Sequence, residues 1–179
     1  MSLVGSLPPI GAELSCSMYA VNVPLRIDVL GVVTLDFKGG IKFRVVENLA
    51  GGLGGVRLKI IGHEVSADSP VLGKVTIRQA DVEVTPLSLL EIISNSPPTY
   101  RNTIFHDFTV TIERAPGGGP PLVLSNTKTG VLIYERLTVF PPQGSVYQLQ
   151  APVDLAPVSA PNEVVAQLQH FPVTMSHEP

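Results

Sequence analysis

Cysteine, charge and long apolar runs are all scarce in this chain, and each scarcity removes a class of protein. Cys16 is the one cysteine in 179 residues, so no intrachain disulfide can form, a disulfide-stapled scaffold is excluded, and a reducing compartment is expected. One cysteine cannot build a Cys-rich zinc site, and no His-x-His pair occurs. His63 and Glu64 are neighbours on a predicted strand, so they face opposite sides unless a bulge at Gly62 intervenes. The sequence therefore predicts no metal site and no cofactor. Charged residues make up only 15% of the chain and the formal charge is -3, too weak a field to imply a nucleic-acid partner. The basic set Lys42, Arg44, Arg57 and Lys59 lacks the interleaved aromatics of a single-strand binder and reads as a solvated outer face. No stretch approaches the roughly 20 uninterrupted apolar residues of a membrane-spanning helix. The first residues, Met1 to Gly11, lack a basic start and a long apolar core, so a cytoplasmic protein is expected. Gly51–Gly55 and Gly117–Gly119 carry neither the lysine nor the Ser/Thr of a phosphate-binding loop.

What the chain has in abundance is alternation. Apart from Gly31, every odd position from Leu25 to Phe37 is apolar, and Ile41, Phe43 and Val45 continue the pattern beyond Lys38-Gly39-Gly40. Side chains in a strand alternate with period two, so these residues share one buried face. A three-residue loop over Lys38–Gly40, with Gly40 at positive φ, would join two strands and pair Phe37 with Ile41. Further strands are predicted at about 13–23, 55–66, 73–84, 101–114, 122–128, 130–140 and 145–150. Thr85-Pro86 resembles a helix start, so the run Leu87, Leu89, Leu90, Ile92, Ile93 reads as one short helix. Gly39-Gly40-Ile41-Lys42-Phe43-Arg44-Val45 and Gly54-Gly55-Val56-Arg57-Leu58-Lys59-Ile60 repeat one binary pattern, as expected of two neighbouring strands.

The predicted architecture is an all-β antiparallel barrel, or a β-sandwich, of about 8–9 strands with one short helix. It occupies residues 1–150 as a single domain. Residues 151–179 lose the alternation and gain prolines, and read as a C-terminal tail in which Asn162–His170 could form a short helix that either docks on the barrel or remains disordered.

Two apolar faces contain an ionisable interruption. In Asn102, Ile104, His106, Phe108, Val110, Ile112 it is His106; in Val131, Ile133, Glu135, Leu137, Val139 it is Glu135. A carboxylate raised in pKa by an apolar lining, beside an imidazole, is the raw material of general acid-base catalysis. Phe37, Phe43, Ile104, Phe108, Ile133, Leu137 and Tyr147 are the predicted ligand-contacting residues, from the same inner faces. By fold-level analogy, such a chain is similar to lipocalin-type carriers and to small bacterial β-barrel cyclases that fold a polyene or polyketide. The analogy implies a hydrophobic small molecule in the interior and a cofactor-independent cyclase or isomerase with His106 and Glu135 as the catalytic pair. The rival reading is a self-assembling or interaction protein with a filled core, and the discriminator is whether the interior holds a cavity of several hundred cubic ångströms. Leu30, Val32 and Val46 break the polar pattern of the outer face, which predicts a homo-oligomer, most simply a dimer.

Overall fold

The alternation that begins at Val33 does not stop at the glycine pair. Leu35, Phe37, Ile41, Phe43 and Val45 are all buried, and Gly39 keeps the same parity, so the segment forms one strand rather than two. The structure, a computed structural model, describes residues 7–50, 53–80, 87–95 and 97–177. In it, β1 (Glu13–Ile27), β2 (Gly31–Asn48) and β3 (Gly55–Ser69) are long strands joined as a meander. The expected loop at Lys38–Gly40 is thus corrected: the turn lies at Asp28–Leu30, is closed by Leu30 N–H donating to the Ile27 carbonyl at 2.9 Å, and uses Gly31 at φ 99°. Gly40 is not among the glycines at positive φ. Gly39 is needed for a different reason, because a Cβ there would run into the carbonyl oxygen of Glu64 on β3.

Beyond β3 every pass of the chain is broken near its middle. The halves are β4 (Gly73–Gln79) and β5 (Ser88–Asn95), β6 (Pro98–His106) and β7 (Phe108–Ile112), β8 (Leu122–Asn126) and β9 (Gly130–Leu137), β10 (Gln143–Leu149) and β11 (Val153–Pro157), β12 (Ala166–Leu168) and β13 (Val173–His177). Three unbroken and five broken passes make a 13-stranded antiparallel sheet, which corrects the expected 8–9 strands: β11, β12 and β13 lie in the segment expected to be a tail, and β5 in the run expected to be a helix. Its ladder closes on itself twice, through β12 with β1 and through β5 with β3. One circuit runs β1-β2-β3-β4-β7-β8-β11-β12 and the other β1-β2-β3-β5-β6-β9-β10-β13. The long strands serve both tiers, with the broken ones stacked end to end beside them.

Among the described residues there is no helix. The one expected over Leu87–Ile93 is β5, which pairs with β3 on one side and β6 on the other; Thr85-Pro86 lies outside the described residues. A short apolar run does not fix its own period, and the sheet edges on both sides decide it. The segment after Ala151 is likewise not a tail. It supplies β11, β12 and β13, buries Leu155, Leu168, Phe171 and Val173, and closes the ladder through Leu25↔Leu168 and Met18↔Met175. In place of the expected helix over Asn162–His170 stands β12. Strands of three and five residues separated by prolines are too short to display alternation.

The repeated binary pattern does belong to neighbours: Phe43 faces Ile60 and Val45 faces Leu58 across β2 and β3. On the outer face the cations are neutralised, Lys42 and Arg44 by Glu13 at 3.1 and 2.7 Å and Arg57 by Glu47 at 3.3 Å. Val32 stands opposite Arg26, not Val46, so the three-residue apolar patch does not assemble; Val46 sits in a bulge between Val45 and Glu47.

Candidate functional site

His106 lies at a break in the wall. The face Asn102, Ile104, His106, Phe108, Val110, Ile112 is buried throughout, as its alternation predicts, and parity survives the interruption at Asp107. Asn126, at the adjoining break between β8 and β9, holds the gap in register. Its Oδ1 accepts the Phe108 N–H at 3.0 Å, and its Nδ2 donates to Asp107 Oδ1 at 3.0 Å and to the Lys128 carbonyl at 2.8 Å. Thr129 Oγ1 donates to the same carboxylate oxygen at 2.9 Å. With Asp107 fastened by its neighbours, the histidine before it is turned inward.

The partner it meets there is His63. Inward positions on β3 are even through Val56, Leu58 and Ile60 and odd from His63 through Val65 and Ala67. The switch is a β-bulge, where Lys42 pairs with Gly62 and the next residue, Phe43, with Ile60. His106 Nε2 lies 2.8 Å from His63 Nδ1, with ring centroids 4.3 Å apart and planes at 86°. Neither His63 Nε2 nor His106 Nδ1 has a hydrogen-bond partner.

Burial decides the charge of this pair. It pushes the His106 pKa down to about 4 and that of His63 well below its ordinary value, the nearby His106 lowering the latter further. Both rings are neutral at pH 7, because a buried imidazolium loses its hydration without gaining a counter-charge. One ring donates across the 2.8 Å contact and the other accepts. If His106 Nε2 carries the proton, His63 must carry its own on Nε2, leaving a donor there and an acceptor at His106 Nδ1. If the proton sits on His63 Nδ1, both ends exchange roles. In either case one end of the pair is a donor and the other a lone pair.

Glu135 is not part of this constellation. It is exposed, as is Arg136, and its inward place is taken by Leu132, Tyr134 and Leu137. A second bulge causes the correction: β6 pairs Tyr100 with Leu137 but Asn102 with Tyr134, so parity on β9 flips between these positions. Ile133, a predicted ligand contact, falls on the opposite face from Leu132 and is half-buried. Of the other predicted contacts, Phe37, Phe43, Ile104, Leu137 and Tyr147 are buried core, and only Phe108 lines the cavity beside the histidines.

That cavity is small, about 30 Å³, with Met18, Ile41, Leu132 and Phe171 among its apolar walls. It has room for about two water molecules. Phe171 enters from residues 169–172, which lie between β12 and β13 and belong to neither strand, and its ring tilts against Phe37 at 5.9 Å. A second polar insertion packs elsewhere in the interior: Tyr147 Oη donates to Asn102 Oδ1, and Asn102 Nδ2 donates to the Leu89 carbonyl at 2.8 Å. Burial raises the Tyr147 pKa, so it remains a phenol and its hydrogen bond is retained. Among the described residues, no three His, Cys, Asp or Glu side chains are grouped to hold a metal ion, and no helix is long and apolar enough to cross a membrane.

No family model matches the sequence, and no curated protein does. A solved structure is similar: DynF from the dynemicin biosynthesis pathway of Micromonospora chersina, with a TM-score of 0.75 over 94% of this chain and 82% of that one. The identity is 18%, so the likeness is one of fold.

Proposed function

We propose that the doubly closed sheet is a β-barrel that admits an apolar small molecule at its mid-level cavity and acts on it, without a resident cofactor, as an isomerase or cyclase. The observation that carries this reading is the buried His63–His106 pair, each ring with one nitrogen lacking a partner on an apolar wall. Leaving a buried donor or acceptor unsatisfied costs about 1–3 kcal/mol, and such a cost marks a place where an absent partner completes the hydrogen bonds. That DynF comes from a biosynthetic pathway supports a small organic molecule as that partner. A molecule of that kind exceeds 30 Å³, so it enters by displacing side chains, and Phe171 is the one best placed to yield. Its segment belongs to neither flanking strand and is tied to β1 by Gln169 N–H donating to the Pro24 carbonyl at 3.2 Å, whereas Met18 and Ile41 stand on the long strands.

Native mass spectrometry of the protein isolated from its own host tests the reading. A retained apolar molecule, lost when Gly130→Leu fills the cavity beside Phe108, supports it. An unliganded mass, together with no binding of apolar probes by the wild type, overturns it. The cavity's smallness favours a second reading, a filled-core protein that functions by self-assembly; that reading is favoured if the unliganded particle is a stable oligomer.

A further inference from the structure

Two histidines in hydrogen-bond contact do more than one histidine in the same apolar wall. A single buried imidazole acting as a base would finish as an imidazolium, the form its surroundings disfavour. The pair can accept a proton at one end and release another at the far end, and both rings finish neutral. We propose that His63 and His106 form a neutral proton relay that exchanges protons with a bound conjugated ketone. The inference rests on the interior ligand site proposed above and names the substrate class for it.

The class follows from the geometry. The free nitrogens, His63 Nε2 and His106 Nδ1, lie at opposite ends of the two-ring pair, beyond the 2.8 Å contact. They suit a molecule whose proton donor and proton acceptor are several bonds apart. In a conjugated enone those two sites are the carbonyl oxygen and the γ-carbon, connected electronically through the intervening double bond. The apolar wall of Met18, Ile41, Leu132 and Phe171 suits the hydrocarbon portion and offers no competing polar group.

The step balances. Starting with both protons on Nε2, His106 Nδ1 takes a proton from the γ-carbon; the C–H bond breaks and an N–H bond forms. The released electron pair moves through the conjugated system to the carbonyl oxygen. That oxygen takes the proton from His63 Nε2, and the proton on His106 Nε2 crosses to His63 Nδ1. The products are a neutral dienol and two neutral rings, each now protonated on Nδ1. Reversal at the γ-carbon exchanges the proton with solvent-derived hydrogen; return at the α-carbon moves the double bond. No oxidant or reductant is required. In this proposal His63 and His106 are the catalytic residues, their rings lining the cavity and their free nitrogens meeting the reacting atoms once the ligand has displaced Phe171.

The test uses the whole protein and two readouts. In protein labelled with 15N-histidine at pH 7, the ring nitrogen shifts should place His63 and His106 in the same neutral tautomer, both Nε2–H or both Nδ1–H; opposite tautomers, or a charged ring, overturn the relay. With 3-methylcyclohex-2-enone as probe in D2O, saturation transfer from the protein should report binding, and deuterium should enter the γ-positions at least tenfold faster than in buffer. His63→Gln and His106→Gln should each return exchange to the buffer rate while the probe still binds, because an amide can hold the hydrogen bond but cannot pass its proton on. Binding without exchange in the wild type overturns the relay and leaves the ligand site standing. No binding of the probe, coupled with no retained host ligand, removes the ligand site and the relay together. Undiminished exchange in either variant also overturns it.

Discussion

Acid should destabilise this protein through the same two rings, and the magnitude can be worked out. In the unfolded chain an imidazole takes up its proton near pH 6.5; in the folded protein His106 does so only at about pH 4, because burial opposes the charge. The folded pKa is thus below the unfolded one. Above pH 6.5 both states are neutral and stability is complete. As the pH falls from 6.5 to 4 the unfolded chain binds a proton that the folded chain refuses, and stability falls with it; below both values the loss is constant. At 1.36 kcal/mol per unit, the His106 shift alone corresponds to about 3 kcal/mol. His63 shifts in the same direction for the same cause and adds to it. For a chain of this size about 3 kcal/mol lowers the melting temperature by roughly 6–12 °C.

Urea unfolding followed by circular dichroism at pH 8, 7, 6, 5 and 4 measures the loss. Glu13 contributes an acid dependence of its own: hydrogen bonds from Arg44 and Lys42 hold it below its ordinary pKa, so its contribution is lost as the pH falls below the usual carboxylate range. The comparison that isolates the histidines is therefore wild type against His63→Gln/His106→Gln, a neutral pair of similar hydrogen-bonding capacity. The variant should be nearly flat between pH 6.5 and 4.5 where the wild type falls. Parallel curves would refute the argument, since they would mean that the imidazoles are hydrated or charged in the folded protein.

Phe171→Ala should cost about 3–5 kcal/mol in urea unfolding, the range for a large core truncation, yet raise the affinity for an apolar fluorescent probe by opening the cavity; lowered affinity would show that Phe171 is a wall and not a plug. Gly39→Ala should cost more than about 2 kcal/mol because its Cβ meets the Glu64 carbonyl, and an unchanged unfolding midpoint would mean that β2 and β3 do not approach so closely. Glu135→Gln, an exposed substitution, should change stability by less than about 0.5 kcal/mol and leave probe exchange intact; lost exchange would return Glu135 to the site.

How much of this was legible in the sequence depends on parity. Where alternation runs without a bulge it locates every inward residue, as from Asn102 to Ile112, even though the strand is interrupted at Asp107. Between Val33 and Val45 it was equally readable, and the glycine pair misled because two glycines serve a turn and a close strand approach equally well. On β9 it could not be read. Val131, Leu132, Ile133 and Tyr134 are apolar or aromatic on both faces, so nothing in the run announces that the bulge before Leu137 turns Glu135 outward.

His63 is the instructive case, because its signal was present. The apolar residues of β3 fall on even numbers up to Ile60 and on odd numbers from Val65 onward. A strand whose buried face changes parity must contain an extra residue between the two runs, and Gly62 is the residue there that most readily accommodates one. The change places His63 on the inner face and sends Glu64 to the surface, where Arg78 pairs with it at 2.8 Å. Similar parity changes occur on β1, where Asn22 at φ 55° lies between buried Ala20 and Val23, and on β9. The β1 change exchanges one apolar inward residue for another, and the β9 change expels a carboxylate. Of these three parity changes, the one on β3 delivers an ionisable side chain, His63, to the interior, opposite a break in the wall that presents another. The proposed chemistry therefore depends on where the strands are irregular, and the His63–His106 contact is the product of one bulge meeting one break.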